Sequence, residues 1–198
     1  MFSWIIKNKA KILQISNWIF EVENIFKKVL NKWISIAHDW ACMTIIESTA
    51  AKYSFFVMEE SLQKTNFWNK KSWDTFNIES SLKLSDTMDW HFVSGHVDTT
   101  WEVTDIKENL DWSKYFYIKF DSKYSNLIIE KWSITINWVS LTIVDDLWDS
   151  LSVSIIPLTQ EITNIWELKI WDLVNLEFDI LWKYINKLQL NKKDGKNN

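Results

Sequence analysis

Glycine is nearly missing from this chain of 198 residues: there are 2, where ordinary usage of about 7% would give about 14. Proline occurs once, cysteine once and arginine not at all, so every one of the 22 basic residues is lysine. The lone Cys42 excludes an internal disulfide and suits a reducing, cytoplasmic setting. Against 26 acidic residues the net charge is −4, and the lysines form no concentrated stripe, which argues against a nucleic-acid partner. No apolar run reaches the ~18 residues of a membrane span. The opening residues, interrupted by Lys7, Lys9 and Lys11, do not read as a secretory signal.

Where glycine is short, tryptophan is in excess, with 15 residues. Several stand at turn-like punctuation: Asp39-Trp40, Asp89-Trp90, Asn137-Trp138 and Leu147-Trp148-Asp149. Asn-Gly and Asp-Gly are the dipeptides of tight hairpins, whereas Asn-Trp and Asp-Trp are not. Reading each Trp as Gly gives 17 Gly and no Trp, close to ordinary usage. A Trp-rich sugar or lipid binder would instead set its indoles along strand faces. The lack of arginine and the wealth of Lys, Ile and Asn suit an AT-rich gene in which UGA is read as glycine but printed as tryptophan. If a third of the sites require φ > 0, a literal tryptophan chain would be strained by roughly 5–10 kcal/mol.

The chain also repeats itself. At a shift of 98 residues "SIAHDWACMTII" from Ser35 falls on "SITINWVSLTIV" from Ser133, and "MEESLQKTNFW" from Met58 falls on "IPLTQEITNIW" from Ile156. Asn77 falls on Asn175 and Glu79 on Glu177; at a shift of 97 the opening "FSWII" falls on "TTWEV" from Thr99. Two homologous domains follow, 1–91 and 92–189, with 190–198 as a polar tail. Alternating segments such as "ITINWVSLTIV" and "VNLEFDI" predict a small antiparallel barrel or sandwich in each half. A helix is expected around Ile25, Phe26, Val29 and Leu30, and a clearer one at the end, where Leu181, Tyr184, Ile185 and Leu188 make one apolar face. That face packs either on its own core or on another subunit.

Six segments carry a resemblance. Riboflavin synthases open with Met-Phe-Thr/Ser-Gly-Ile, and this chain opens "MFSWII". Their Asn-Gly-x-Cys-Leu-Thr is matched by "HDWACMT", and their Glu-Thr-Leu-x-x-Thr-Asn-Leu-Gly by "EESLQKTNFW". Their Gly-Gly-His-Phe-x-Ser-Gly-His-Val-Asp is matched by "DWHFVSGHVD", with Asp89 at one expected glycine. Gly-Ser-Ile-x-x-x-Gly-x-Ser-Leu-Thr is matched by "WSITINWVSLT", and the closing Asp-Ile-Leu-Gly-Lys-Tyr by "DILWKYI". The chain thus resembles the riboflavin synthase family from residue 1 to about 190. At every matched glycine but Gly95 and the one now Asp89, it carries Trp.

The resemblance implies an all-β fold of two tandem antiparallel Greek-key barrels with a C-terminal α-helix, assembled as a homotrimer. It implies dismutation of two 6,7-dimethyl-8-ribityllumazine molecules, with neither metal nor cofactor because the substrates serve as donor and acceptor. Association with lumazine synthase is left open. By motif the first pocket would use Trp4, Ile5 and Ile6, Ser35, then Cys42, Met43 and Thr44, then Glu60, Ser61, Leu62, Gln63, Lys64 and Thr65. The second would use Gly95, His96 and Val97, Lys131, Ser140, Leu141 and Thr142, and Ile156, Pro157, Leu158, Thr159, Gln160, Glu161, Ile162 and Thr163.

His96 is the expected proton shuttle, acting with Ser140, because its motif is the more specific; Cys42, Thr142 and Asp179 are further catalytic candidates. Plainer readings stand beside these. Thr44 and Thr142 fit ordinary strand positions, Cys42 a small buried hydrophobe, His91 a linker-orienting role, and Glu177 and Asp179 solvated charges at a strand end. Gln63 stands where the family commonly has Arg, which bears on ribityl recognition. The alternative function is a non-catalytic lumazine or flavin carrier of the same fold.

Overall fold

The computed structural model describes residues 6, 8–39, 41–82, 85 and 94–193. Strands β1 (Asn8–Ser16), β2 (Ile19–Glu23), β3 (Ser35–His38), β4 (Ala41–Ser48), β5 (Lys52–Phe56) and β6 (Thr75–Ser80) close a barrel in the order β1-β2-β5-β4-β3-β6. Strands β7 (Thr99–Glu108), β8 (Lys114–Lys119), β9 (Ser133–Ile136), β10 (Val139–Asp146), β11 (Ser150–Ile155) and β12 (Leu173–Phe178) close a second in the same cyclic order. All neighbours are antiparallel, and the β2–β5 and β3–β6 pairings between non-consecutive strands are the Greek-key connections the family resemblance implied. Two six-residue helices, α1 (Glu59–Lys64) and α2 (Pro157–Ile162), follow β5 and β11; α3 (Ile180–Lys193) closes the chain.

Strands β2, β4, β5, β8 and β10 follow the two-residue period of a sheet with one dry face, whereas β3, β6, β9 and β12 are buried on both faces. In β4, Ala41, Met43 and Ile45 point into the barrel, while Cys42 and Thr44 point out. The first core is aromatic: Tyr53, Phe55 and Phe76 surround His38, and Phe20 and Phe67 pack on those phenylalanines, all nearly inaccessible. The repeat puts Phe116, Val153, Ile165, Val174 and Leu151 around Ile136 in the second. His38 therefore replaces an isoleucine. Its Nε2 lies 2.7 Å from the Tyr53 hydroxyl and its Nδ1 3.1 Å from the Ile36 carbonyl oxygen. The carbonyl requires the proton on Nδ1, so Tyr53 donates to Nε2. Burial pushes this imidazole down to about 3.

Strand register corrects the opening of the repeat. Lys9 faces Asn77 and Thr100 faces Asn175, so with Asn77 equivalent to Asn175 the first strands are related by 91 residues, not 97. Counting back, Ser3-Trp4-Ile5-Ile6 falls on Ser94-Gly95-His96-Val97. The shift differs because β3 starts 27 residues after β1 but β9 starts 34 after β7: the second half has a longer first hairpin and a longer connection from β8 to β9. The helix expected around Ile25 to Leu30 is also absent. Asn24 turns the chain there instead, its amide donating to the carbonyls of Lys28 (2.8 Å) and Thr49 (2.6 Å) while its oxygen accepts from Phe26 N–H. Lys27 sits at φ 52°, incompatible with a helix.

Of the tryptophans within the described residues, Trp18, Trp33, Trp73, Trp112, Trp138, Trp148 and Trp171 all have φ between 63° and 79°. That is the left-handed region, costly for any residue with a Cβ. In the two-residue hairpins Asn17-Trp18 and Asn137-Trp138, both residues have positive φ, the geometry that Asn-Gly serves.

The barrels meet along a polar seam. Asn66, Asn77, Asn164 and Asn175 are all buried. Asn66 N–H donates to Asn175 Oδ1 at 2.7 Å, and Asn164 N–H to Asn77 Oδ1 at 2.8 Å. Asn77 and Asn175 also donate to the Asn137 and Asp39 carbonyls of the opposite barrels. One charge pair is added: Asp39, wholly buried, accepts from Lys70 Nζ at 2.6 Å, where the repeat has Asn137 and Leu168.

Candidate functional site

A cavity of about 460 Å³ lies on the outside of the first barrel. Cys42 reaches it because the pleat turns that side chain out of β4; Ala41 and Met43 form the adjoining edge. The second wall comes from Met58 and from Glu60, Ser61, Lys64 and Thr65 of α1 and its end. Thr65 is fixed there, its hydroxyl donating to Ser61 O at 2.6 Å and accepting from Phe67 N–H at 3.2 Å. The third wall is Gly95, His96 and Val97, from the segment that leads into the second barrel. Cys42 N–H donates to Gly95 O at 3.2 Å, tying this wall to β4.

That third wall corrects the expected grouping, which put Gly95, His96 and Val97 with Ser140. His96 shares its cavity with Cys42, whereas Ser140 takes the Cys42 position on β10 of the other barrel. Met43, Glu60, Ser61, Lys64 and Thr65 are brought together as expected. Thr44 and its cross-strand partner Ser35 lie one pleat further along, with Thr44 exposed; Leu62 packs on the first core and Gln63 points to solvent near Glu59. Trp4, Ile5, Trp40 and His91 lie outside the described residues. Ile6 is buried in the second barrel's cluster.

In the second half Ser140 faces outward, Leu141 belongs to the core and Thr142 is exposed. Ile156, Pro157, Leu158 and Glu161 are exposed, Thr159, Gln160 and Ile162 half-buried. Gln160 donates to Trp112 O at 3.0 Å, and Thr163 repeats Thr65 by donating to Thr159 O at 2.7 Å. Lys131 stands on a surface turn with its ammonium on Val144 O at 3.2 Å, apart from the first-barrel cavity.

Glu177 and Asp179 are not the solvated charges expected at a strand end. Both are buried, at 1% and 3% exposure. Asp179 heads α3, accepting from Leu181 N–H at 2.8 Å and from the Trp132 indole at 3.2 Å. Glu177 accepts from Ser94, Gly95 and His96. Its signal was in the sequence, where Asn77-x-Glu79 repeats as Asn175-x-Glu177. A second cavity, about 320 Å³, opens on the seam beside Asn66, Asn164, Lys70 and Glu167. Its asparagines are already bonded to one another, so it reads as part of the joint. Among the described residues no group of three His, Cys, Asp or Glu is placed to hold a metal, and no helix is long and apolar enough to cross a membrane.

Comparison with known proteins follows the same division. The family described as "Lumazine binding domain" matches twice, at residues 4–81 and 94–179. The riboflavin synthase of Actinobacillus pleuropneumoniae is 38% identical over 197 residues, 97% of this chain and 91% of the relative. This chain belongs to the riboflavin synthase family. The family's Escherichia coli (strain K12) member is 31% identical over 185 residues, covering 90% of this chain and 87% of the relative. Among solved structures, LumP complexed with riboflavin superposes with a TM-score of 0.82 at 19% identity, covering 90% of this chain and 99% of LumP. LumP complexed with 6,7-dimethyl-8-(1'-D-ribityl) lumazine gives 0.79 at 20%. At that identity LumP bears on fold alone.

Proposed function

We propose that this protein is a riboflavin synthase in catalysis as well as in family: it binds two 6,7-dimethyl-8-ribityllumazines and moves a four-carbon unit from one to the other. The products are riboflavin and 5-amino-6-(ribitylamino)uracil. The observation that carries the reading is the repetition of the pocket elements, Cys42-Met43 with α1 and Ser140-Leu141 with α2, in two barrels of one topology. Two copies of one substrate call for two such sites. Because one lumazine is donor and the other acceptor, electrons balance without a redox cofactor. The protein's work is to hold two rings face to face and move protons at the acidic C7 methyl. His96 serves that transfer in the first pocket, a role supported by its lining the same cavity as Cys42. Ser140 polarises the ring in the second.

In the assembly, the first barrel of one subunit faces the second barrel of another, within a cytoplasmic homotrimer. The exposed stripe of Leu181, Tyr184, Ile185 and Leu188 on α3, 39–63% accessible, supports a subunit contact there rather than packing on the chain's own core. Incubating the protein with the lumazine and following riboflavin formation tests the function. One riboflavin per two lumazines, without added metal or nicotinamide, is expected. Saturable binding without turnover would establish the carrier reading instead.

Glycine, in this reading, is the working residue at the Trp positions. Supporting it are seven tryptophans at left-handed φ, six of them more than half exposed with little to gain from an indole. At roughly 1–2 kcal/mol each, seven such residues cost about as much as a domain's whole stability. Trp101 is equivalent by register to Ala10, and its buried indole N–H has no hydrogen-bond partner. Trp4 is equivalent in sequence to Gly95, itself at φ 81°. UGA codons at these positions and glycine in the native peptide masses are the expected findings; UGG codons throughout would refute the reading.

A further inference from the structure

We infer that Glu177 is a positioning residue for the first-barrel pocket, although it belongs to the second barrel. The inference rests on the lumazine-binding reading of that pocket. Glu177 lies on β12 with 1% of its surface accessible. One carboxylate oxygen accepts from Ser94 N–H at 3.0 Å and from the Ser94 hydroxyl at 2.9 Å. The other accepts from Gly95 N–H at 3.2 Å and His96 N–H at 3.0 Å. Three successive backbone N–H groups converge on one anion because Gly95, at φ 81°, turns the chain into the concave form that binds anions. Such charge-assisted bonds are about twice as strong as neutral ones.

The opposite side of this segment is the pocket wall. Gly95, His96 and Val97 line the cavity, and Gly95 O accepts from Cys42 N–H. The carboxylate therefore sets where the His96 ring and the Gly95 carbonyl stand relative to Cys42, without itself lining the cavity. An apolar residue at this buried strand position would pack the barrel with less desolvation. The charge is explained by the segment it holds. Two residues earlier on the same strand face, Asn175 holds the seam. One strand of the second barrel thus fixes both the docking of the barrels and the wall of the first pocket.

Glu177→Gln keeps the shape but replaces one acceptor oxygen by a donor, so one bond (Ser94 N–H) or two (Gly95 and His96 N–H) are lost, according to the way the amide turns, since the Ser94 hydroxyl can accept but a backbone N–H cannot. Three measurements on the full chain decide the matter. Amide hydrogen exchange at residues 94–96 should quicken at least tenfold in the variant, with β8 and β11 unchanged. Cys42 is the only cysteine, so its alkylation by a maleimide reports the first pocket alone. The lumazine should protect Cys42 in the parent protein and fail to do so in the variant. Lumazine fluorescence titration should fall from two sites per chain to one. Ser94→Ala, which leaves the carboxylate in place, should weaken Cys42 protection several-fold without lowering the melting midpoint, and it decides the point if the Gln variant does not fold. Unchanged exchange and protection would overturn the inference, as would equal loss of both sites with loosening of β8 and β11. If the parent binds no lumazine, the functional reading fails, and hydrogen exchange still judges the clamp.

Discussion

Acid should loosen the first barrel through His38, and the repeat supplies the control. The folded imidazole is held down to about 3 by burial, whereas in the unfolded chain it titrates at 6.5. A group with a depressed folded value leaves the unfolded state holding more protons, so its contribution to stability is complete above pH 6.5. That contribution is lost progressively as pH falls toward 3. At pH 5 the interval from the unfolded value is 1.5 pH units, which at about 1.36 kcal/mol per unit comes to about 2 kcal/mol. With an m-value of about 2 kcal/mol/M, the urea midpoint should fall by about 1 M between pH 7.5 and 5. The control variant carries His38→Ile with Tyr53→Leu, copying Ile136 and Leu151 of the second barrel. Both changes are needed, because His38→Ile alone strands the buried Tyr53 hydroxyl, at a cost of about 1–3 kcal/mol. Carboxylates common to the two proteins cancel in the difference. If the control loses as much stability as the parent between pH 7.5 and 5, His38 does not titrate with unfolding and the argument is refuted.

Other outcomes follow from the site and the seam. His96→Ala should slow turnover about 10²-fold and weaken lumazine binding less, as steady-state kinetics beside a fluorescence titration would register; Ser140→Ala should behave likewise through the other barrel. Removing residues 181–198 should leave both barrels folded and sediment as monomers; an unchanged assembly would return α3 to its own subunit. Asp39→Asn should destabilise by about 3 kcal/mol or more, because Lys70 is left without its carboxylate. Adding Lys70→Leu, the pairing in the second half, should recover much of that loss in chemical denaturation. In the chain as printed, Trp73→Gly and Trp171→Gly should each raise stability by about 1–2 kcal/mol, since both sit at φ 79° and are largely exposed.

Much of this architecture was legible because repetition leaves a trace that single motifs do not. The shift of 98 residues marked β3 to β6 against β9 to β12 residue for residue, and the terminal helix declared itself by its stripe. The opening strands were misaligned because the second half has a longer first hairpin and a longer connection to β9, which change the offset, and only strand pairing reveals that Trp4 matches Gly95. The segment around Ile25 has helical spacing, yet Asn24 captures three backbone groups and the chain turns. In the pocket, Cys42, Glu60, Ser61, Lys64 and Thr65 came together because they are near in sequence. His96 was grouped with the wrong barrel because a wall lent by one domain to another has no local signature. Glu177 was misread for a related reason: its partners lie about 80 residues away, and a strand-end acid looks solvated until its environment is known.

The seam has one consequence for how such a chain arises. Asn66 bonds Asn175 as Asn164 bonds Asn77, the reciprocal pattern of an isologous contact. A single ancestral barrel bearing these asparagines would have met its own copy through the same face. Fusing the copies frees the two sites to diverge, which a homodimer forbids. Cys42 now stands opposite Ser140 in the repeat, and Ile5 opposite His96. The Asp39–Lys70 pair has no counterpart in Asn137 and Leu168, so the halves are no longer interchangeable. Covalent linkage has turned a symmetric partnership into a division of labour, the condition under which two identical substrates can be given different fates.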